Sequence, residues 1–341
     1  MEPAVLAHVK WFSEFDFTDP PRSFSEVLTP TFFALAALAM TVIGAMVFID
    51  RRLDDVGWYG RINSWLSDRA EYSTTVIRVA MAAVLLISWE NRALLTPELA
   101  EPQAWVGWMQ FVLALLLLFP RSAPAAGIGI IFLWVIGLGE YGPLHMLDYL
   151  HYVGIGIYLF VSASKDEKIR GIGLPALYLT IGFALIWLGF EKLVYPEWSL
   201  LILEENPNLV LGLPPDFFLQ GAAFVEISLG FLLIIGLLER PLAAVITLVF
   251  FTTTLVFGRV EVIGHTPLHA ALVVFLLNGP GSFYKPPIAL HRRIWLRVSF
   301  AVVNFAFALA LVGFVYSLSA QLQFEEATVS AAQISRAHGP G

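Results

Sequence analysis

The sequence predicts an all-α protein, a polytopic membrane helix bundle with about ten transmembrane helices. Of its 341 residues, 58% are hydrophobic and 14% are charged, whereas a soluble domain carries about 25% charged residues. The apolar residues also form long runs, and a membrane helix needs about 20 predominantly apolar residues. The lipid bilayer is therefore the first predicted partner, and soluble enzyme folds are excluded.

Chain-breaking and basic residues separate the apolar runs. Arg51 and Arg52 follow the first run, Pro120 ends the third, and the sequence Asn-Gly-Pro-Gly begins at Asn278 after the ninth. The ten predicted helices cover residues 30–49, 74–94, 105–120, 122–140, 146–164, 172–195, 216–237, 241–258, 266–278 and 294–318.

The charges are distributed unequally between the two sides of the predicted bundle. The loops after odd-numbered helices, with the start of the second helix, hold 14 of the 20 Lys and Arg residues. The positive-inside rule places these loops in the cytoplasm. We therefore expect a multi-pass protein of the cell inner membrane with both termini extracytoplasmic. The net charge of −7 argues against a nucleic-acid partner, and the lack of cysteine excludes an iron–sulfur cluster.

Polar landmarks recur in the same order in two stretches, which predicts a tandem repeat of four helices each. Since four helices return the chain to the same side, the two units are parallel. The predicted domains are 1–73, with the first membrane helix; 74–164 and 172–278, the two repeats; and 279–341, with the last helix. The matched landmarks are Glu90 and Glu191, Gln110 and Glu226, Arg121 and Arg240, and His151 and His269.

The second repeat carries the motif Gly189-Phe190-Glu191-Lys192-Leu193 with Pro196. Glu226, Gly230, Gly236 and Arg240 follow at fixed spacings, and a histidine lies in the last helix. This pattern resembles the DoxX family of four-helix membrane proteins, and it is similar to the DoxD-type large subunit of thiosulfate:quinone oxidoreductase. The first repeat resembles it more weakly, since Gln110 stands where the family has Glu.

The resemblance implies a redox-associated membrane subunit that passes electrons from a small external reductant, such as a sulfur compound, to quinone. Quinone is then the expected cofactor, and a periplasmic redox subunit is an expected partner. The predicted catalytic residues, which handle protons, are Glu191, Glu226, His151 and His269. The predicted cofactor-binding residues are Lys192, Arg259 and Glu90.

Ionisable side chains within membrane helices are costly, and here almost all of them map to the outer half. This asymmetry predicts a polar pocket that opens outward. Imidazole and carboxylate groups also suit a divalent metal, and the candidate ligands are His145, Asp148, His151, His265, His269 and Glu140. On a helix, His145, Asp148 and His151 lie along one arc. Thr266 and Pro267 predict a helix start, so we expect His265 to precede that helix.

Other interpretations of these residues remain open. His145, Asp148 and His151 suit a metal site, a proton or hydrogen-bonding role, or a structural position at the membrane interface. The whole protein is alternatively a metal-ion or small-solute binding and transport protein. A third alternative is a membrane scaffold for a periplasmic redox partner.

Overall fold

The computed structural model describes residues 10, 16–53, 55–281 and 285–337, without the side chains of 253–257 and 330–337. The predicted all-α fold class is confirmed. The long helices are α1 (Pro30–Leu53), α2 (Gly57–Ser67), α3 (Ser73–Glu90), α4 (Ala104–Leu117), α5 (Ala123–Met146), α6 (His151–Ser162), α7 (Gly173–Val194), α8 (Pro196–Glu205), α9 (Pro215–Ile235), α10 (Glu239–Phe257), α11 (Arg259–Asn278) and α12 (Ile294–Ala337). Two short helices cover Phe24–Val27 and Glu167–Arg170. One hairpin is formed by β1 (Ala93–Leu94) and β2 (Thr96–Ala100).

Seven helical stretches in the described part of the chain are long and apolar enough to cross a membrane. They are Pro30–Leu53, Ala70–Glu90, Pro120–Tyr149, Glu167–Val194, Pro215–Ile235, Arg259–Asn278 and Ile294–Val329. The other three predicted membrane helices are present as α4, α6 and α10, with 14, 12 and 19 residues. The protein is therefore a multi-pass membrane helix bundle.

Eight of these helices form a closed series of neighbours. Along the chain, α3 packs on α4, α4 on α5, α5 on α6, α6 on α7, α7 on α9, α9 on α10 and α10 on α11. Helix α11 then packs back on α3, while α1 and α12 pack on each other and against α9. Two parallel four-helix units give this order, with the contact of α6 and α7 matching that of α11 and α3. The tandem repeat stays a prediction, which this order supports.

Small residues bring the central helices into close contact, as in many membrane proteins. A Cβ atom added to Gly182 of α7 would lie 2.6 Å from the carbonyl oxygen of Gly230 in α9. One added to Gly127 of α5 would lie 2.4 Å from the carbonyl oxygen of Gly156 in α6. These positions leave no space for a side chain, so glycine sets how closely the helix pairs approach.

The hairpin was not expected, because the predicted second helix runs to residue 94. Helix α3 instead ends at Glu90, where the Asn91 side chain donates to the Ile87 carbonyl at 2.8 Å and Arg92 takes a φ of 54°. The turn residue Leu95 is fully buried and has a φ of 63°, which is strained for a residue other than glycine. The Gln110 side chain accepts a hydrogen bond from the Leu95 N–H at 2.9 Å, and the Tyr152 hydroxyl donates to the Leu95 carbonyl at 2.8 Å. These side chains hold the turn inside the bundle.

The two ends of the bundle differ in their charge. We call the end with β1 and β2 the hairpin end, and the opposite end, with Arg51, Arg121 and Arg240, the basic end. Arg240 donates from Nε and Nη2 to the carbonyls of Leu276 and Leu277 at 2.8 and 3.0 Å. The two chain termini, which the sequence places outside, lie beyond the described residues, so their orientation stays a prediction.

Candidate functional site

Most of the predicted site residues lie in the hairpin half of the bundle and inside it. His145, Asp148, His151, Glu191, Lys192, Glu261 and His265 are all at most 2% exposed. As a set these buried side chains do not line an outward-opening pocket, although Lys192 borders a small cleft. The buried groups form three clusters instead of lining one open cavity.

The first cluster is an ion pair between α7 and α9. Lys192 Nζ lies 2.8 Å from Glu226 Oε2, and the side chains are 2% and 25% exposed. The close approach of Gly189 to the Ala223 carbonyl brings the two helices together here. Because side chains tilt toward the N-terminus of their helix, Lys192 reaches from the hairpin end down to the middle of α9. The pair therefore places a charged carboxylate half-way along an apolar helix.

A small cleft of about 20 Å³ borders Lys192 at the hairpin end. Lys192 is part of its wall, with the polar residues Arg22, Asp216 and Gln220. The space has room for about one water molecule, so it brings water to Lys192.

The second cluster surrounds Lys10, whose burial no sequence pattern predicts. Its Nζ lies 2.6 Å from Asp148 Oδ2 and 2.6 Å from Glu191 Oε2. Burial lowers the pKa of Lys10, but the carboxylates of Asp148, Glu191 and Glu98 outweigh this effect, so the pKa is raised above its ordinary value. Lys10 is therefore a permanent ammonium group between two buried carboxylates.

Glu98 of β2 joins this second cluster and was also missed by sequence reasoning. Its two carboxylate oxygens bond the His145 ring nitrogen and the Tyr149 hydroxyl. The leucines near Glu98 in the sequence, Leu94, Leu95 and Leu99, could have indicated its burial, because three leucines are unusual in a surface loop. Buried apolar residues in a loop indicate that the loop folds back into the protein.

The third cluster consists of histidines from α6 and α11. His265 Nδ1 lies 3.2 Å from Glu261 Oε1, and the His265 ring stacks on Phe250 at 4.5 Å. In the described part of the chain, neither ring nitrogen of His151 has a hydrogen-bond partner. His269 is half-buried, and its ring centroid lies 4.8 Å from that of Phe251.

The predicted position of one histidine relative to its helix is wrong. His265 lies inside α11, which begins at Arg259, so it does not precede the helix. Membrane helices tolerate an internal proline such as Pro267 because neighbouring groups satisfy the freed carbonyl. His145, Asp148 and His151 all follow the break of α5 at Gly142, and the 3₁₀ turn Leu147–Tyr149 joins the end of α5 to α6, so their common arc stays a prediction.

The remaining predicted site residues are not drawn into these clusters. Glu90, Glu140 and Arg259 are exposed. Among the described residues, no group of three or more His, Asp or Glu side chains is arranged to hold a metal ion. His145 is bonded to Glu98, and Asp148 forms an ion pair with Lys10.

Comparison with known proteins identifies one part of the chain. Residues 174–259 match the family model DoxX, which confirms the resemblance of the second predicted repeat to that family. No curated protein and no solved structure matches the chain. The matched segment contains both members of the Lys192–Glu226 pair. The protein is therefore a multi-pass membrane protein that carries a DoxX domain from α7 to the start of α11.

Proposed function

We propose that this protein is the membrane subunit of a quinone-linked redox system, and that the Lys192–Glu226 pair binds the polar head of the quinone. The observation that carries the proposal is this ion pair, half-way along an apolar helix within the DoxX segment, with Glu226 a quarter exposed. Charged groups at such depth are costly and typically functional. The pair therefore suits a ligand that is itself lipid-soluble.

The donor and acceptor groups fit a quinone head. The Lys192 ammonium has three N–H donors, and one of them bonds Glu226 Oε2. The other two N–H groups can donate to a carbonyl oxygen of the quinone, while Glu226 accepts or returns a proton. Val225 is 52% exposed beside Glu226 and gives apolar contact for a ring or tail. When bound, a quinone supplies the acceptor for two electrons and two protons.

The remaining parts of the proposal follow from the DoxX resemblance. The reductant is a small molecule on the outer side of the inner membrane, and a sulfur compound is the first class to test. A periplasmic redox subunit delivers the electrons. In this scheme Glu191, His151 and His269 exchange protons near the hairpin end, while Glu226 does so at the quinone head.

Quinone binding by the detergent-purified full chain tests the proposal. A short-chain ubiquinone analogue is titrated while its quenching of tryptophan fluorescence is followed. Glu226→Gln removes a charged hydrogen-bond partner, so we expect an affinity about tenfold weaker, equivalent to about 1.4 kcal/mol. The matched control is Glu140→Gln, the same change at an exposed glutamate, and its affinity should equal that of the wild type.

Two results would contradict the proposal. The first is equal quinone affinity for Glu226→Gln and Glu140→Gln, which would place the binding site elsewhere. The second is the absence of saturable binding to the wild-type chain, which would leave the ion pair with a packing role between α7 and α9.

A further inference from the structure

The Lys10 ammonium lies in a cage built by three other parts of the chain. Asp148 belongs to the turn before α6, Glu191 to α7 and Trp198 to α8. The two carboxylate oxygens each lie 2.6 Å from Lys10 Nζ, and the centre of the Trp198 ring lies at 5.9 Å. The two oxygens are therefore at most about 5 Å apart. Carboxylates and an indole face around one nitrogen form the typical recognition site of an ammonium group.

The cage is dry and has acceptor capacity left over. Asp148 is fully buried, Glu191 is 1% exposed and Trp198 is 2% exposed. Within the part of the chain that the structure describes, Asp148 Oδ1 and both carboxylate oxygens of Glu191 accept no hydrogen bond, and Glu191 Oε2 is held to Lys10 Nζ by the ion pair alone. Two buried carboxylates without a cation would be strongly destabilising. The cage therefore requires a bound cation that carries N–H donors.

Lys10 is far from the cage residues in the chain, 138 residues from Asp148. Lys10 precedes α1 in the chain, whereas the three cage residues are held by elements that pack within the bundle. Tyr195, stacked on Trp198 at 4.0 Å, and Trp198 itself, which donates from Nε1 to Asp19 at 3.0 Å, fix the indole face. The bundle thus supplies the two carboxylates and the indole face of the cage, and Lys10 supplies the ammonium group.

We propose that the cage of Asp148, Glu191 and Trp198 is a binding site for a primary ammonium group, which the chain fills with its own Lys10. A compact ammonium with N–H donors fits between the two oxygens. A quaternary ammonium lacks the donors, and a sodium ion lacks the affinity for the indole face and the directional bonds. When the Lys10 side chain is shortened, a small primary alkylammonium ion takes its place.

Chemical rescue of Lys10→Ala tests this site in the full-length, detergent-purified protein. The substitution removes three methylenes and the ammonium group, and n-propylammonium supplies the same atoms. We expect Lys10→Ala to unfold several degrees below the wild type, and n-propylammonium to restore most of the loss. Trimethyl-n-propylammonium and sodium chloride at equal concentration should restore none. The double variant Lys10→Ala/Glu191→Gln should gain less from n-propylammonium than Lys10→Ala alone.

Equal effects of n-propylammonium, trimethyl-n-propylammonium and sodium would overturn the proposal, because they would show only a general salt effect. If Lys10→Ala does not fold under any of these conditions, amine acetylation of the wild type decides, read by mass spectrometry. We expect Lys10 to react at least ~10-fold more slowly than the exposed Lys165, and Glu191→Gln to speed its reaction, because exchange follows local opening. Equal reaction of Lys10 and Lys165 would contradict the cage.

Discussion

The two predicted repeats, α3–α6 and α7 with α9–α11, share their order of helix neighbours but differ at their matched positions. Gln110 in the first unit bonds the backbone of the hairpin, donating to the Ala93 carbonyl at 2.7 Å. Glu226 at the matched position in the second unit forms the ion pair with Lys192. A neutral amide thus stabilises a buried turn in one unit, and a charged pair occupies the membrane interior in the other. The difference places the Lys192–Glu226 ion pair in the second unit and an uncharged amide at the matched position of the first.

A second matched position shows the same contrast. Glu90, at the end of α3, is exposed, whereas Glu191 of α7 is buried beside Lys10. The arginines show a different relation. Arg78, not the predicted counterpart Arg121, donates to the carbonyls of Leu117 and Leu118 at 2.8 and 2.7 Å, as Arg240 does at the end of α11. The first unit therefore keeps an arginine at a helix end, and at the two matched positions it has an amide and an exposed carboxylate where the second unit has carboxylates in ion pairs.

The largest effect is expected from Lys192→Met, which leaves Glu226 without its cation. Breaking a buried ion pair from one side costs about 3–5 kcal/mol. The free energy of unfolding, measured by denaturation in mixed micelles, should fall by about this amount. The exposed Lys165→Met is the control and should change it by less than about 0.5 kcal/mol. A loss as small as that of the control would mean that the pair is solvated, contrary to the burial of Lys192.

The next largest effect is expected at the matched position in the first unit. Gln110→Leu leaves the buried Leu95 N–H and the Ala93 carbonyl without partners, at about 1–3 kcal/mol for each group. Gln110→Glu keeps an acceptor for Leu95 but sets a carboxylate against the Ala93 carbonyl, so it should destabilise too. The same denaturation measurement compares both variants. Full stability of Gln110→Glu would show that this position accepts a charge and would remove the contrast with Glu226.

The smallest effects are expected from the other matched pair of glutamates. Glu191→Gln keeps an acceptor for Lys10 but removes one charge, and we expect a loss of about 1–2 kcal/mol in the free energy of unfolding. Glu90→Gln changes an exposed side chain and should stay within about 0.5 kcal/mol. Equal values for the two variants would contradict the burial of Glu191 beside Lys10.

Sequence patterns predicted the helices well because the bilayer fixes their length and composition. The predicted helix 172–195 and the observed Gly173–Val194 nearly coincide, and so do 216–237 and Pro215–Ile235. The hairpin was missed because the predicted second helix extends across the polar residues Glu90, Asn91 and Arg92 to residue 94, whereas the structure ends the helix at Glu90. Its strands are also only two and five residues long.

The site was predicted only in part, for a related reason. The buried position of Glu191 and Glu226 could be inferred, since each lies in an apolar helix. Their partners could not be inferred in the same way. Lys10 is 138 residues from Asp148 in the chain, and no periodic pattern marks it as buried. Contacts at such separation depend on how the helices pack, which composition and spacing do not specify.

Helix α12 has a consequence for experiments on orientation. It has 44 residues, and the Tyr195 hydroxyl donates to the Ala320 carbonyl at 3.4 Å near the hairpin end. At 1.5 Å per residue, the helix beyond Ala320 extends about 25 Å farther. A fluorescent protein fused after α12 would therefore lie outside the lipid headgroup region. Its brightness, or its cleavage by added protease in intact cells, reports which compartment the hairpin end faces.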